Sequence, residues 1–280
     1  MPTSGVSPKN YKHLFNLKGK NAVVTGSVGL LGRCFCSGLA SAGANVAVVD
    51  LDGKEASKFA RELQRHYKIQ AIGIRCDVSS PKEVASMVKG IVKKFGSIEI
   101  LHNNAATKSS KLDLFFAPFE EYDLSEWRKI MAVNIDGVFL VAQAVGRQMI
   151  HQGKGGSIIQ TASIYGIIAP DPRIYEGSFY LGRQISSPAV YSASKGAVVA
   201  LTKYLAVYWA NKNIRVNTLT PGGVESGQNE VFQSKYSNRV PMGRMACADE
   251  LVGALLYLAS DASSYVTGHN LVVDGGLCAW

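Results

Sequence analysis

Cysteine is scarce in this chain: Cys34, Cys36, Cys76, Cys247 and Cys278 are the five among 280 residues. The number is odd and no Cys-x-x-Cys occurs, so neither a disulfide framework nor a zinc ribbon is indicated. Cys34 and Cys36 stand two apart on a predicted helix and point to different sides. They read as buried or incidental thiols, and no metal site is expected. No apolar run reads as long enough to cross a bilayer, so no membrane association is expected. The N-terminal segment carries charge but no apolar h-region. It does not read as a secretory signal, and the expected location is the cytoplasm. Internal repeats, low-complexity stretches and domain linkers are missing too. Basic residues are numerous, 30 Lys and Arg against 21 Asp and Glu for a formal net charge of +9. They are scattered, without runs and without aromatic interleaving, so nucleic-acid binding is not expected. An acidic partner protein or an anionic small substrate still suits a basic surface.

With 47% hydrophobic and 18% charged residues, the composition is that of a globular protein. Short β-branched runs at 21–25, 45–50, 71–75, 98–103, 157–161, 214–219 and 270–273 alternate with helical patterns. The helical patterns include 55–66, 81–95, 189–211 and 249–260. Such alternation predicts an α/β fold, a Rossmann-type doubly wound parallel sheet with helices on both faces. Right-handed crossovers and a mid-sheet switch point give seven strands in the order 3-2-1-4-5-6-7. Residues 1–18 read as a polar arm and 19–280 as one domain. Two segments, 108–123 and 169–187, break the rhythm with irregular sequence after strand ends, where open parallel sheets bind ligands.

The first strand runs into Thr25-Gly26-Ser27-Val28-Gly29-Leu30-Leu31-Gly32, and a helical pattern follows. Glycines there let the backbone approach a pyrophosphate, and the helix N-terminus offers free N–H groups. The alternative is a plain tight turn with a helix-packing glycine. The second strand ends at Asp50. Its carboxylate can accept from the adenosine ribose hydroxyls and would repel a 2′-phosphate, which favours NAD over NADP. It can equally cap the next helix, and nearby Arg33 and Lys54 keep NADP open. Ser187-Pro188 predicts a helix start with a hydroxyl cap and proline at the first helical position. Tyr191 and Lys195 then share one helix face. A nearby ammonium is expected to lower the tyrosine pKa, so that the phenol can exchange a proton with a substrate oxygen. Ser163 ends the fifth strand and can hold that oxygen, or is ordinary loop chemistry. Asn134, in an apolar helical stretch, is either a kinking or backbone-bonded amide or the anchor of a proton-relay water.

Together these residues resemble the short-chain dehydrogenase/reductase family, compact single-domain branch, over about residues 17–280. The motifs occur in the family's order: the turn from Thr25, Asp77-Val78, Asn103-Asn104-Ala105-Ala106, Asn134, Ser163, Tyr191-x-x-x-Lys195 and Pro221-Gly222. The resemblance implies a catalytic tetrad of Asn134, Ser163, Tyr191 and Lys195, with Tyr191 as acid/base. It implies NAD(H) bound by Gly26, Gly29, Leu31, Gly32, Asp50, Leu51, Asp77, Val78, Asn103, Ala105, Tyr191, Lys195, Pro221, Gly222, Val224 and Ser226. It also implies a lid at 225–245 and a homodimer or homotetramer. Three features depart from the pattern: Leu30 where compact members carry glycine, Ala106 closing the Asn-Asn-Ala-Gly motif, and Ser163 and Tyr191 standing 28 positions apart, wider than usual. The insertion at 169–187 is similar to dehydrogenases of bacterial flagellin-glycan and nonulosonic-acid sugar synthesis. The expected reaction interconverts a secondary alcohol and a ketone on a sugar or amino-sugar, phosphorylated or nucleotide-linked. Tyr165, Arg173 and Arg183 are the candidate substrate residues, with Lys108 and Lys111 nearby, and the expected substrate is anionic and polyhydroxylated. A 3-oxoacyl thioester reductase is the alternative enzyme. A non-catalytic dinucleotide-binding regulator is the alternative of another class.

Overall fold

Strands of Val, Ile and Ala with no polar face must be covered on both sides, which is the condition of a buried parallel sheet. The computed structural model describes residues 11–109, 111–180 and 182–280, so most of the expected arm lies outside the described residues. Seven strands pair in parallel: β1 Asn21–Thr25, β2 Asn45–Asp50, β3 Ala71–Arg75, β4 Ile100–Asn103, β5 Gly156–Thr161, β6 Ile214–Pro221 and β7 Asn270–Val273. Their order is β3-β2-β1-β4-β5-β6-β7, as the sequence predicts.

The helices are α1 Leu30–Ser41, α2 Gly53–Tyr67, α3 Pro81–Phe95, α4 Leu112–Phe115, α5 Leu124–Met131, α6 Val138–Gln152, α7 Ala189–Trp209, α8 Glu230–Ser237 and α9 Val252–Ala259. Local chemistry sets several boundaries. Asp52 accepts from the Lys54 and Glu55 amides to start α2. Ser80 and Pro81 open α3, and Gly96, at φ +86°, closes it. The start of α7 differs from expectation. Pro188, not Ser187, holds the cap position, and no side chain caps the helix. The Ser187 hydroxyl instead bonds Tyr175.

One core layer joins α1, α2 and α9 to the sheet through Phe35, Leu39, Leu63 and Leu255. The opposite layer unites Val23, Met87, Val145, Ile158, Trp209 and Val216. Residues before and after position 150 therefore share one core, and Leu17, within the expected arm, is already buried in it.

Two expectations need correction. The helix from Leu124 to Gln152 is continuous for 29 residues, through a π turn at Ala132–Gly137, and is long and apolar enough to cross a membrane by length and composition. Charges at Glu126, Arg128, Lys129 and Asp136 break the apolar run in sequence. Val141, Ala142, Val145 and Met149 on this helix pack in the core. The segments expected to be irregular also hold short elements. Residues 108–123 contain α4 and a turn at Phe119–Glu121. The 169–187 insertion contains a turn at Pro172–Tyr175 and a hairpin of Phe179–Tyr180 with Arg183–Gln184. Elements of two to four residues are too short to show a period.

Candidate active site

The turn after β1 is built from three glycines with different tasks. Gly26 takes φ +65°, a backbone that side chains rarely adopt. Gly29 occupies the cap position of α1. At Gly32 a Cβ would stand 2.1 Å from the Gly26 carbonyl oxygen, so the helix reaches the turn only because no side chain is there. Beside this turn lies a cleft of about 660 Å³ at the carboxyl ends of β1, β2 and β4.

Gly26, Gly29, Leu31, Gly32, Asp50, Leu51, Asp77, Val78, Ala105, Val224 and Ser226 all line the cleft, as expected of a dinucleotide site. Asp50 is held at its edge by the amides of Val28 (3.0 Å) and Asp52 (3.2 Å). Arg33 is engaged elsewhere. It pairs with Glu55 at 2.6 Å, lies over the Phe59 ring and donates to the Val28 carbonyl. Asn103 does not line the cleft. It is buried, donating to the Val138 carbonyl and accepting from Thr25, because alternation along β4 turns it into the core. Asn104 takes the cleft position, donating to the Thr25 carbonyl and accepting from Thr161. Pro221 and Gly222 lie against the C-terminal strand: Pro221 pairs with Val273, and a Cβ on Gly222 would meet the Asp274 Cα at 2.7 Å. Sequence reasoning missed Asn104, Thr107 and Val133. The doubled Asn103-Asn104 was the available signal for the first.

Beyond the cleft three of the four tetrad candidates, Ser163, Tyr191 and Lys195, cluster, and Asn134 bonds Ser194 next to Lys195 in the chain. Ser163 lies two residues past β5, not at its last position as expected, where it caps the turn Ile164–Gly166, and it hydrogen-bonds Tyr191 on α7. Lys195 lies one turn further along, with its Nζ 5.9 Å from the Tyr191 ring centre. Buried there, it donates to the Thr161 carbonyl at 2.9 Å. Asn134 sits in the π turn. Its side chain accepts from the Thr107 amide (2.8 Å) and donates to Ser194 (3.4 Å), so its amide is bonded within the protein. The electrostatics differ from the sequence expectation. Burial raises the Tyr191 pKa, against the lowering effect of its bond to Ser163, and burial pushes the Lys195 ammonium down to about 8. Both shifts have one cause: desolvation disfavours charge on either group.

The substrate candidates divide. Tyr165 meets the buried Tyr175 hydroxyl at 3.4 Å, and burial raises its pKa. Arg173 is not an open anchor. Its guanidinium forks onto Asp171 at 2.8 and 2.9 Å, with its side chain 80% exposed. The backbone of Arg183 pairs with Tyr180, and its side chain lies outside the described residues. Other cations of the lid are paired as well, Arg239 with Asp171, Lys235 with Glu176 and Arg244 with Glu250. Exposed pairs contribute little, so Arg173→Ala should change KM by less than about threefold. A tenfold rise in steady-state assays would return Arg173 to the substrate site.

A doubly wound sheet with a glycine turn, a dinucleotide-sized cleft and a Ser–Tyr–Lys cluster beside it defines a Rossmann-type dehydrogenase. The chain belongs to the short-chain dehydrogenase/reductase family. A family model described as enoyl-(acyl carrier protein) reductase matches residues 30–278. A short-chain type dehydrogenase/reductase from Mycobacterium marinum superposes with TM-score 0.83 at 36% identity, covering 96% of this chain and 99% of that one. The sorbose reductase of Candida albicans is 37% identical over 96% of this chain and 90% of its own length. Two solved sugar-related enzymes are also similar. A gluconate 5-dehydrogenase from Burkholderia cenocepacia, in complex with NADP and tartrate, has TM-score 0.83, 35% identity and coverage of 95% and 98%. An NAD+-bound xylitol dehydrogenase has TM-score 0.81, 31% identity and coverage of 93% and 99%. With such relatives the chain is an oxidoreductase of CH–OH groups related to sugar and polyol dehydrogenases.

Proposed function

We propose that this protein interconverts a secondary alcohol and a ketone on a small sugar, polyol or sugar acid, with NAD(H) as the preferred cofactor and Tyr191 as the acid/base. The observation that carries the reading is the link of the Ser163–Tyr191–Lys195 cluster to the cleft through Thr161, whose carbonyl accepts from Lys195 and whose hydroxyl donates to the cleft-lining Asn104. The cleft fits a dinucleotide. The Gly26–Gly32 approach leaves the amides at the start of α1 open to a pyrophosphate, and Asp50 stands where ribose hydroxyls need an acceptor. Hydride exchange is the chemistry that a bound nicotinamide supplies. The protein's part is the proton. With its pKa raised by burial, Tyr191 carries its phenolic proton at neutral pH and can give it to a carbonyl oxygen. Ser163 holds that oxygen beside it, and Lys195 places positive charge next to the phenolate left behind.

Free ketoses, polyols and their acids fit better than phosphorylated sugars, because Arg173 of the insertion and the lid cations Lys235, Arg239 and Arg244 face carboxylates. A panel of ketoses, polyols, sugar acids and their phosphates, read by NADH absorbance, tests this. Preference for the phosphates, or for 3-oxoacyl thioesters, would reject it.

Asp50 and the Arg33–Glu55 pair support NAD over NADP, since a carboxylate faces the ribose position and the nearest guanidinium is already neutralised. Asp50→Ala should narrow the gap between NADH and NADPH dissociation constants, removing charged-acceptor hydrogen bonds of about 1.5–3 kcal/mol. Tighter binding of NADPH by the unaltered protein would overturn the assignment.

The active form is proposed to be a dimer or tetramer. Phe139 on α6, Val207 and the stacked Tyr204–Tyr208 pair on α7, and Tyr265 and Trp280 near the C-terminus are all exposed. Apolar surface of this extent suits subunit contacts. A monomeric mass at micromolar concentration would count against it.

A further inference from the structure

The lid helix α8 is joined to the insertion on several sides. Phe232 stacks on Tyr175 at 5.6 Å, and both are buried in one cluster with Ile174 and Tyr236. Lys235 donates to the carbonyls of Glu176 (2.8 Å) and Arg173 (3.2 Å). Arg239 pairs with Asp171 at 2.8 Å, and Asn229 donates to the Phe179 carbonyl. Insertion and lid are thus one body.

The body meets the cleft-lining loop at Gln228, which bonds the Val224 carbonyl and the Ser226 amide, and at one buried aromatic side chain. Tyr236, 3% exposed, accepts a hydrogen bond on its hydroxyl from the Gly223 amide at 2.5 Å. Its ring fills the space where a side chain on Gly223 would stand: a Cβ there would lie 2.5 Å from Tyr236 Cζ and Cε1. The next residue, Val224, lines the cleft and pairs with Ala246, closing the base of the lid segment. Gly223 also accepts from the Ala246 amide, so both ends of the lid meet at the residue that Tyr236 holds.

We propose that Tyr236 is a positioning residue: it fixes the loop of Gly223, Val224 and Ser226 and so ties one end of the dinucleotide cleft to the insertion–lid body. This rests on reading the cleft as the NAD(H) site, with Val224 and Ser226 at its nicotinamide end, as the family resemblance implies. Tyr236 itself is not among the residues lining the cleft. Its influence passes through the Gly223 amide, and that contact lets the state of the insertion reach the cofactor.

The test compares two ligands on the purified full chain. NADH spans the cleft, whereas ADP-ribose lacks the nicotinamide. Tyr236→Phe keeps the ring and removes the acceptor. It should weaken NADH by about three- to tenfold, the worth of one hydrogen bond, and leave ADP-ribose within twofold. Asp171→Asn, at the clasp with Arg239, loosens the lid without touching the sheet. It should shift the same way by a smaller factor, and Asp171→Glu should restore NADH binding. A general loss of structure would instead weaken both ligands together. Equal NADH affinity of wild type and Tyr236→Phe, or parallel loss of both ligands, overturns the proposal alone. Failure of the wild-type protein to bind NADH overturns the NAD(H) reading and the proposal with it.

Discussion

Tyr191→Phe should lower turnover by about 10²–10⁴ while the dissociation constant for NADH stays within twofold. The substitution removes one oxygen and keeps the ring, which is partly exposed on α7 and packs near the Lys195 Nζ. Fold and cleft should therefore survive. Ser163 cannot take over the proton transfer, because a hydroxyl without a base beside it is a poor acid at neutral pH. Lys195 is committed to the Thr161 carbonyl at 2.9 Å, so its ammonium stays in place in the variant. The pH dependence separates the roles further. Burial raises the Tyr191 pKa, so alcohol oxidation, which needs the phenolate, should speed up as pH rises, whereas ketone reduction uses the protonated form already present at neutral pH. The variant should lose this contrast. Near-full activity of Tyr191→Phe would move the acid/base role elsewhere, with Tyr175 and Tyr165 next in line through their shared hydroxyl contact.

The parts of the site that were legible in sequence are those whose chemistry is local. The glycine turn, Asp50 at a strand end, and Tyr191 one turn before Lys195 are each set by a few neighbouring residues, and the structure puts them where the pattern implied. What escaped is set by contacts between distant segments. Arg173 reads in sequence as a substrate anchor, but Asp171 holds it, and the same carboxylate takes Arg239 from the distant lid. Asn103 and Asn104 are adjacent and identical. Only the strand register decides which faces Val138 and which faces the cleft. Ser187-Pro188 carries a good local capping signal, yet Tyr175 from the insertion captures the hydroxyl. The tyrosine pKa was misjudged for a related reason. The ammonium at position 195 is visible in the sequence, but the desolvation that outweighs it is a property of the assembled core.

Acidification should destabilise the fold through His102 before the carboxylates respond. His102 lies on β4 under α1, edge-on to Phe35 with ring centres 4.4 Å apart, and its Nε2 is 2.8 Å from Thr161 Oγ1. It is fully buried, and its Nδ1 has no hydrogen-bond partner among the described residues. Burial pushes its pKa down from 6.5 to about 3. The folded protein therefore keeps the imidazole neutral, while the unfolded chain takes up a proton below pH 6.5. Stability from this group is complete above 6.5 and is lost progressively as pH falls towards 3. At pH 5 the loss is about 2 kcal/mol and at pH 4.5 about 3 kcal/mol, a large share of a typical domain's 5–15 kcal/mol. Asp171 and Glu250, both held down to about 2 by arginine partners, give up their contribution only as pH falls below the ordinary carboxylate values of 3.8 and 4.5. The interval from pH 6.5 to 5 thus isolates the histidine from these ion pairs. Urea midpoints measured at pH 7, 6 and 5 should fall with pH in the wild type. His102→Gln, which keeps a polar group opposite Thr161 and cannot titrate, should show a much flatter profile. A wild-type midpoint constant from pH 7 to 5 would mean that the folded state accommodates the protonated imidazole, and the buried neutral histidine would have to be abandoned.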